Sequence, residues 1–113
     1  MDYKINIGDL NKRITIQELK TITTDNGFEE EKWVDSKTVW AKVNNLFGKE
    51  FWSAKAINQE NSLDFIIRYS KDLSILDSKT NRIYWNERAF NITFIDNIQY
   101  KNTWIKIKGI EVV

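Results

Sequence analysis

Residues 8–33 read GDLNKRITIQELKTITTDNGFEEEKW, and the parsing of this stretch decides the fold. Arg13-Ile14-Thr15-Ile16-Gln17 alternates polar with apolar side chains, the period of a strand that lays one face on a core. A mostly polar run follows, Thr21 to Lys32, centred on Asp25-Asn26-Gly27, before Trp33 restores the apolar signal. Asn-Gly is a turn signal, and the run shows no apolar period. The spacing therefore predicts a strand over 12–19, a long exposed loop over 21–32, and a second strand over 36–44. In that second strand Val39, Ala41 and Val43 share one face, and Thr38, Trp40 and Lys42 share the other.

Downstream the period changes once. In NNLFGKEFWSAKAINQEN, Phe47, Phe51 and Ala54 recur at helical spacing, with Trp52 and Ala56 in an adjacent row. This predicts one short α-helix inserted after the second strand, opening at Asn45 or Gly48 and closing at Asn58 or Asn61. SLDFIIRYS returns to period two, with Leu63, Phe65, Ile67 and Tyr69 on one face. A polar connection over 71–81 carries a small apolar patch at Leu73, Ile75 and Leu76. RIYW-NE-RAFNITFID then reads as a hairpin: Ile83 and Trp85 precede Asn86-Glu87, and Phe90, Ile92 and Phe94 follow it. A short Asn86-Glu87 turn is expected, with a longer loop as the alternative because glutamate disfavours positive φ. TWIKIKGIEVV closes the chain, with Ile105 and Ile107 opposite Trp104, Lys106 and Lys108. The expected fold is mainly β, a single domain over 1–113. It is a small, partly open antiparallel β-barrel of about five or six strands, with the helix plugging one end and the long loop between strands one and two.

Composition narrows the chemistry. The chain of 113 residues has no Cys, so it has no disulfide frame and no thiolate. It has no His, which excludes Ser-His and Cys-His catalysis and imidazole metal sites. Glu29-Glu30-Glu31 reads as a solvated charge run. Asp64, Asp72, Asp77 and Asp96 do not follow a metal-loop spacing, and the four glycines form no phosphate-binding pattern. Neither catalysis nor a cofactor nor a metal is expected. No apolar run reaches membrane-spanning length and MDYKINIGD lacks a signal-peptide core, so no membrane contact is expected and the chain is expected in a cytoplasm.

Two binding chemistries remain. Trp40 with Lys42, and Trp104 with Lys106 and Lys108, place aromatic rings beside cations, as an OB-like barrel for single-stranded nucleic acid would. The balance of 17 basic and 16 acidic residues argues against a dedicated nucleic-acid surface. Protein association fits better: five Trp exceed the needs of so small a core, and Trp concentrates at interfaces.

The order of GDLNKRITIQ, DNGFEEEKW, TVWAKV, GKEFWSAKA, LDFIIRYS and RIYWNERAFNITFI resembles the head–tail joining family of tailed phages, also called head-closure, head-completion or stopper proteins. The likeness spans nearly the whole chain and departs at Asn86-Glu87, where the family tends to carry a glycine. The resemblance implies a non-catalytic virion protein, assembled in the bacterial host cytoplasm. It would form a ring, twelvefold by the resemblance, between the portal and adaptor proteins and the tail proteins. The ring would close the DNA channel and offer the tail a docking surface; other tail-proximal roles, adaptor or tail terminator, stand next. A free monomer and non-specific contact with packaged DNA are also expected. Ring contacts are heterologous and call for projections. The expected assembly residues are Asp25, Asn26, Gly27 and Phe28 in the loop with Trp33 at its base, and Lys49, Phe51, Trp52 and Lys55 in the helix.

Overall fold

The computed structural model describes residues 5–45 and 62–112. Within them six strands run antiparallel: β1 Lys12–Thr23, β2 Glu29–Asn45, β3 Ser62–Arg68, β4 Asn81–Trp85, β5 Arg88–Asn97 and β6 Trp104–Glu111. They pair in the order β1-β2-β3-β6-β5-β4, and β4 returns to β1, so the sheet closes on itself as a barrel. The expected partly open barrel is thus closed. Closure satisfies the backbone donors and acceptors that a free sheet edge would leave unpaired.

The alternation read in the sequence becomes the barrel interior. Ile14 and Ile16 of β1, Ala41 of β2, Phe65 and Ile67 of β3, Ile83 of β4, Phe90 of β5, and Ile105 and Ile107 of β6 are buried together. Burying each such side chain stabilises the fold by roughly 1.5–3 kcal/mol. Phe65 stands edge-on to Phe90, ring centres 5.3 Å apart, and to Trp85 at 6.4 Å. Gly109 makes room for this aromatic cluster. A Cβ there would lie 3.0 Å from the Phe90 Cβ and 3.3 Å from the Phe65 ring.

Two local departures from simple pairing matter. In β5 the register against β6 shifts between Ile92 and Phe94. Thr93 is the extra residue; its hydroxyl donates to the Lys108 carbonyl at 3.1 Å. The bulge turns Phe94 outward, 56% exposed, and hands the inward position to Ile95. The sequence period had placed Phe94 with Phe90 and Ile92. At the β4–β5 turn, Asn86 and Glu87 both take positive φ (54° and 61°), and Trp85 pairs directly with Arg88. The hairpin is therefore the short Asn86-Glu87 turn, of the kind whose twist matches the strands, and not the longer alternative that Glu87 left open. The paired strands on either side hold the glutamate in a conformation it does not favour alone.

The α-helix expected after β2 falls on residues 46–61, outside the described residues. Among those described, helical structure is limited to short 3-10 turns at Ile7–Asp9, Leu73–Ile75 and Ile98–Tyr100. Leu73 of the second turn is buried in the core, with Tyr69 and Leu76 packed against it. These side chains help to fill the barrel interior, part of the work expected of the helix.

Candidate assembly surface

β1 and β2 run well past the barrel. β1 pairs with β4 only over Thr15–Glu18, and the Leu19 amide donating to the Thr80 carbonyl at 2.8 Å is the last tie. Beyond it β1 and β2 pair with each other alone, from Leu19↔Trp33 to Thr23↔Glu29. The long loop predicted over 21–32 is therefore a two-stranded arm. Its residues are polar because both faces meet solvent, so no apolar period marks the strands. Thr21, Ile22 and Thr23 are β-branched and suit an extended backbone all the same.

A tight turn closes the arm. The Gly27 amide donates to the Thr24 carbonyl at 2.9 Å, and the Thr24 amide donates to the Phe28 carbonyl at 2.8 Å. The Thr24 hydroxyl also accepts from the Phe28 amide at 3.3 Å. Gly27 sits at φ 79°, the left-handed position at which such a three-residue loop takes glycine. Asp25, Asn26, Gly27 and Phe28 are thus gathered at the tip, where Phe28 is 71% exposed.

Trp33 is not with them. It is half-buried at the root, opposite Leu19, with the Arg82 guanidinium 4.5 Å above its ring. Arg82 Nε donates to Gln17 Oε1 at 2.7 Å, and Gln17 Nε2 donates to Asp35 Oδ1 at 3.0 Å. Burial pushes the Arg82 pKa down from its ordinary value. The register shifts here as well, between Ile16 and Gln17, with Ser36 as the unpaired extra residue. A bulge raises the local twist and so sets the direction in which the arm leaves. Just inside it, Lys37 pairs with Asp72, which also accepts from the Ser70 hydroxyl at 2.7 Å. These two hydrogen bonds lower the Asp72 pKa to about 2.

Charge separates arm from barrel. The outer arm, residues 21–31, contains Asp25, Glu29, Glu30 and Glu31 and no base; Lys20 and Lys32 pair at its inner end, and the rest of the sequence is basic on balance. Part of that excess is exposed near an apolar depression of about 640 Å³ lined by Ile7, Leu10, Asn11, Val39, Trp40 and Arg68. Trp40 is 51% exposed and the Arg13 guanidinium lies 4.9 Å from its ring centre. The sequence had put Trp40 on the outer face. It did not connect Trp40 with Ile7, which lies 33 positions earlier, before the first strand.

The basic row expected along β6 is less open. Lys106 is largely buried, its ammonium 3.5 Å from an Asp64 oxygen on β3, and Trp104 is half-buried. Lys49, Phe51, Trp52 and Lys55 lie outside the described residues. Among the described residues no cluster of carboxylates could hold a metal ion, and no helix is long and apolar enough to cross a membrane.

The profile of a family described as phage head completion protein matches residues 5–112. Among solved structures, the solution structure of protein SF1141 from Shigella flexneri 2a is 33% identical, with a TM-score of 0.68 over 95% of this chain and 96% of that one. A chain from the virion of a native gene transfer agent particle has the same fold at 17% identity, with a TM-score of 0.57 over 91% of this chain and 96% of that one. No curated protein matches the chain.

Proposed function

We infer the role of this chain from its membership: it belongs to the phage head completion protein family. It is accordingly a structural protein of the phage head–tail region, it resides in the virion, and it associates with other virion proteins. We propose that it forms a ring between the portal and adaptor on one side and the tail on the other. In that position it closes the DNA channel after packaging and presents the surface on which the tail docks.

The acidic arm is the observation that carries this reading. A closed ring is built from heterologous contacts, in which one patch of each subunit meets a different patch of the next. A convex barrel alone offers little area for such a contact. An arm anchored at Trp33 and Arg82, ending in an exposed Phe28, reaches a neighbour or an adjoining ring without disturbing the barrel. Before assembly the chain is a monomer in the host cytoplasm, and the platform of an existing ring orders its copies. Basic side chains that face the channel contact packaged DNA through phosphates, without reading sequence.

Complementation of packaged heads made without this chain tests the proposal. Such heads should leak DNA and fail to accept tails, and added purified protein should restore tail joining. Heads that retain DNA and join tails equally well without it would overturn the reading.

A further inference from the structure

The arm tip and the depression on β2 have matching chemistry. The tip offers one exposed aromatic ring, Phe28, flanked by Asp25 and by Glu29, Glu30 and Glu31. The depression offers apolar walls from Ile7, Leu10, Val39 and Trp40, with Arg68 in its lining and Arg13 stacked on Trp40. Ile7 is 64% exposed and Trp40 51%, so apolar surface stands open to solvent there. An aromatic anchor entering an apolar pocket, ringed by opposite charges, is the arrangement expected at the centre of a specific contact.

The two halves cannot meet within one molecule. Phe28, immediately before β2, and Val39, within it, are eleven residues apart. At about 3.3 Å per strand residue this places the tip roughly 35 Å from the depression. The arm stays hydrogen-bonded out to Thr23↔Glu29, and beyond Glu18 β1 pairs with no strand but β2, so nothing folds it back onto the depression.

We propose that the Phe28 tip of one copy's arm seats in the depression bounded by Ile7, Leu10, Val39, Trp40 and Arg68 of a second copy. The proposal rests on the ring reading above and names its contact. Knob and hole lie on different parts of the surface, so the contact is head-to-tail. It leaves each copy with a free arm at one end and a free depression at the other, and repetition closes a ring where the rotation permits. The acidic residues steer the tip toward the arginines and turn arm away from arm.

The absence of cysteine makes the test clean. Asn26→Cys, beside the Phe28 ring, and Asn11→Cys, in the lining of the depression, are placed in separate full-length chains, both at exposed positions that leave the ring and the apolar walls intact. The purified proteins are mixed at millimolar concentration and oxidised. Asn26→Cys with Phe94→Cys, on β5 across the barrel from β2, measures random collision. The Asn26–Asn11 heterodimer should exceed that control by about fivefold or more, because binding raises the local thiol concentration. Replacing Phe28 by Ala, or Glu29, Glu30 and Glu31 by Lys, in the Asn26→Cys chain should remove most of the excess. Equal yields at Asn11 and Phe94 would overturn the proposal, as would an excess indifferent to loss of the ring and to charge reversal. The ring reading is judged separately, by the complementation of heads. A chain that restores tail joining but shows no excess cross-link sinks this contact and leaves the ring reading standing.

Discussion

The same two strands are held in two different ways along their length. Inside the barrel, β1 and β2 bury Ile14, Ile16 and Ala41, and packing fixes their register. In the arm the same strands continue through Lys20↔Lys32, Thr21↔Glu31 and Ile22↔Glu30 with both faces in water. Only backbone hydrogen bonds, β-branched residues and one tight turn hold them there. The barrel is thus specified by burial and the arm by its two ends, the Gly27 turn and the Trp33–Arg82 root. An isolated two-stranded ribbon is marginal in water, so the root is what makes the arm a defined projection.

The largest expected effects break this contrast from the barrel side. Phe65→Ala removes a fully buried ring from the aromatic cluster and should cost about 3–5 kcal/mol in chemical or thermal unfolding. Replacing residues 21–31 by a two-residue Asn-Gly turn should change stability by less than about 1 kcal/mol, yet abolish tail joining. A truncated arm that unfolds the protein would show that the arm belongs to the fold. One that still joins tails would show that it has no part in assembly.

Trp33→Ala probes the junction. It removes the ring beneath Arg82 and should cost about 1–2 kcal/mol. Its sharper signature is local. Amide exchange at Lys20–Thr23 should quicken strongly, while that at Ile14 and Ile16 should quicken only as far as global stability falls. Uniform change across both groups would mean that arm and barrel open together.

Glu87→Gly sharpens the comparison with a second turn. Both turns use the left-handed region, but the arm supplies glycine and the β4–β5 hairpin supplies glutamate. Relieving that residue should raise stability by about 1 kcal/mol, read as a higher denaturation midpoint. No gain would mean that the glutamate side chain contributes an offsetting interaction.

The smallest effect is electrostatic. With Asp72 held near pKa 2 against an ordinary 3.8, its pairing with Lys37 contributes fully above the ordinary value and is lost as pH falls through about 2. Both groups are exposed, so the contribution to stability is slight. A carboxyl-carbon NMR titration should place the Asp72 midpoint near 2, and Lys37→Met should raise it toward 3.8. An unmoved midpoint would remove Lys37 as the cause.

Legibility follows the same division. Wherever one face of a strand was buried, the sequence announced it: Ile14 and Ile16, Phe65 and Ile67, Ile105 and Ile107 all occupy the faces their period assigned. The arm read as a loop because strands without a buried face lose the only period that distinguishes them. Phe94 was misplaced because a single extra residue, Thr93, inverts alternation without leaving a mark in composition. Within the candidate site, the tip residues were legible through Asn26-Gly27, and Trp33 was correctly put at a base but not tied to Arg82, 49 positions away. The depression was illegible for the same reason. Its walls come from Ile7, Val39 and Arg68, which only the closed barrel brings together.

Pairing only with itself gives the arm one further property. Because no third strand reads its register beyond Glu18, residues can be added or removed in cross-strand pairs without shifting a single position of the barrel. Each added pair would lengthen the reach by about 3.3 Å. The arm is in that sense a ruler: the gap it spans is written between Leu19 and Val34 alone, and evolution can retune the spacing of an assembly there while the scaffold that carries it stays as it is.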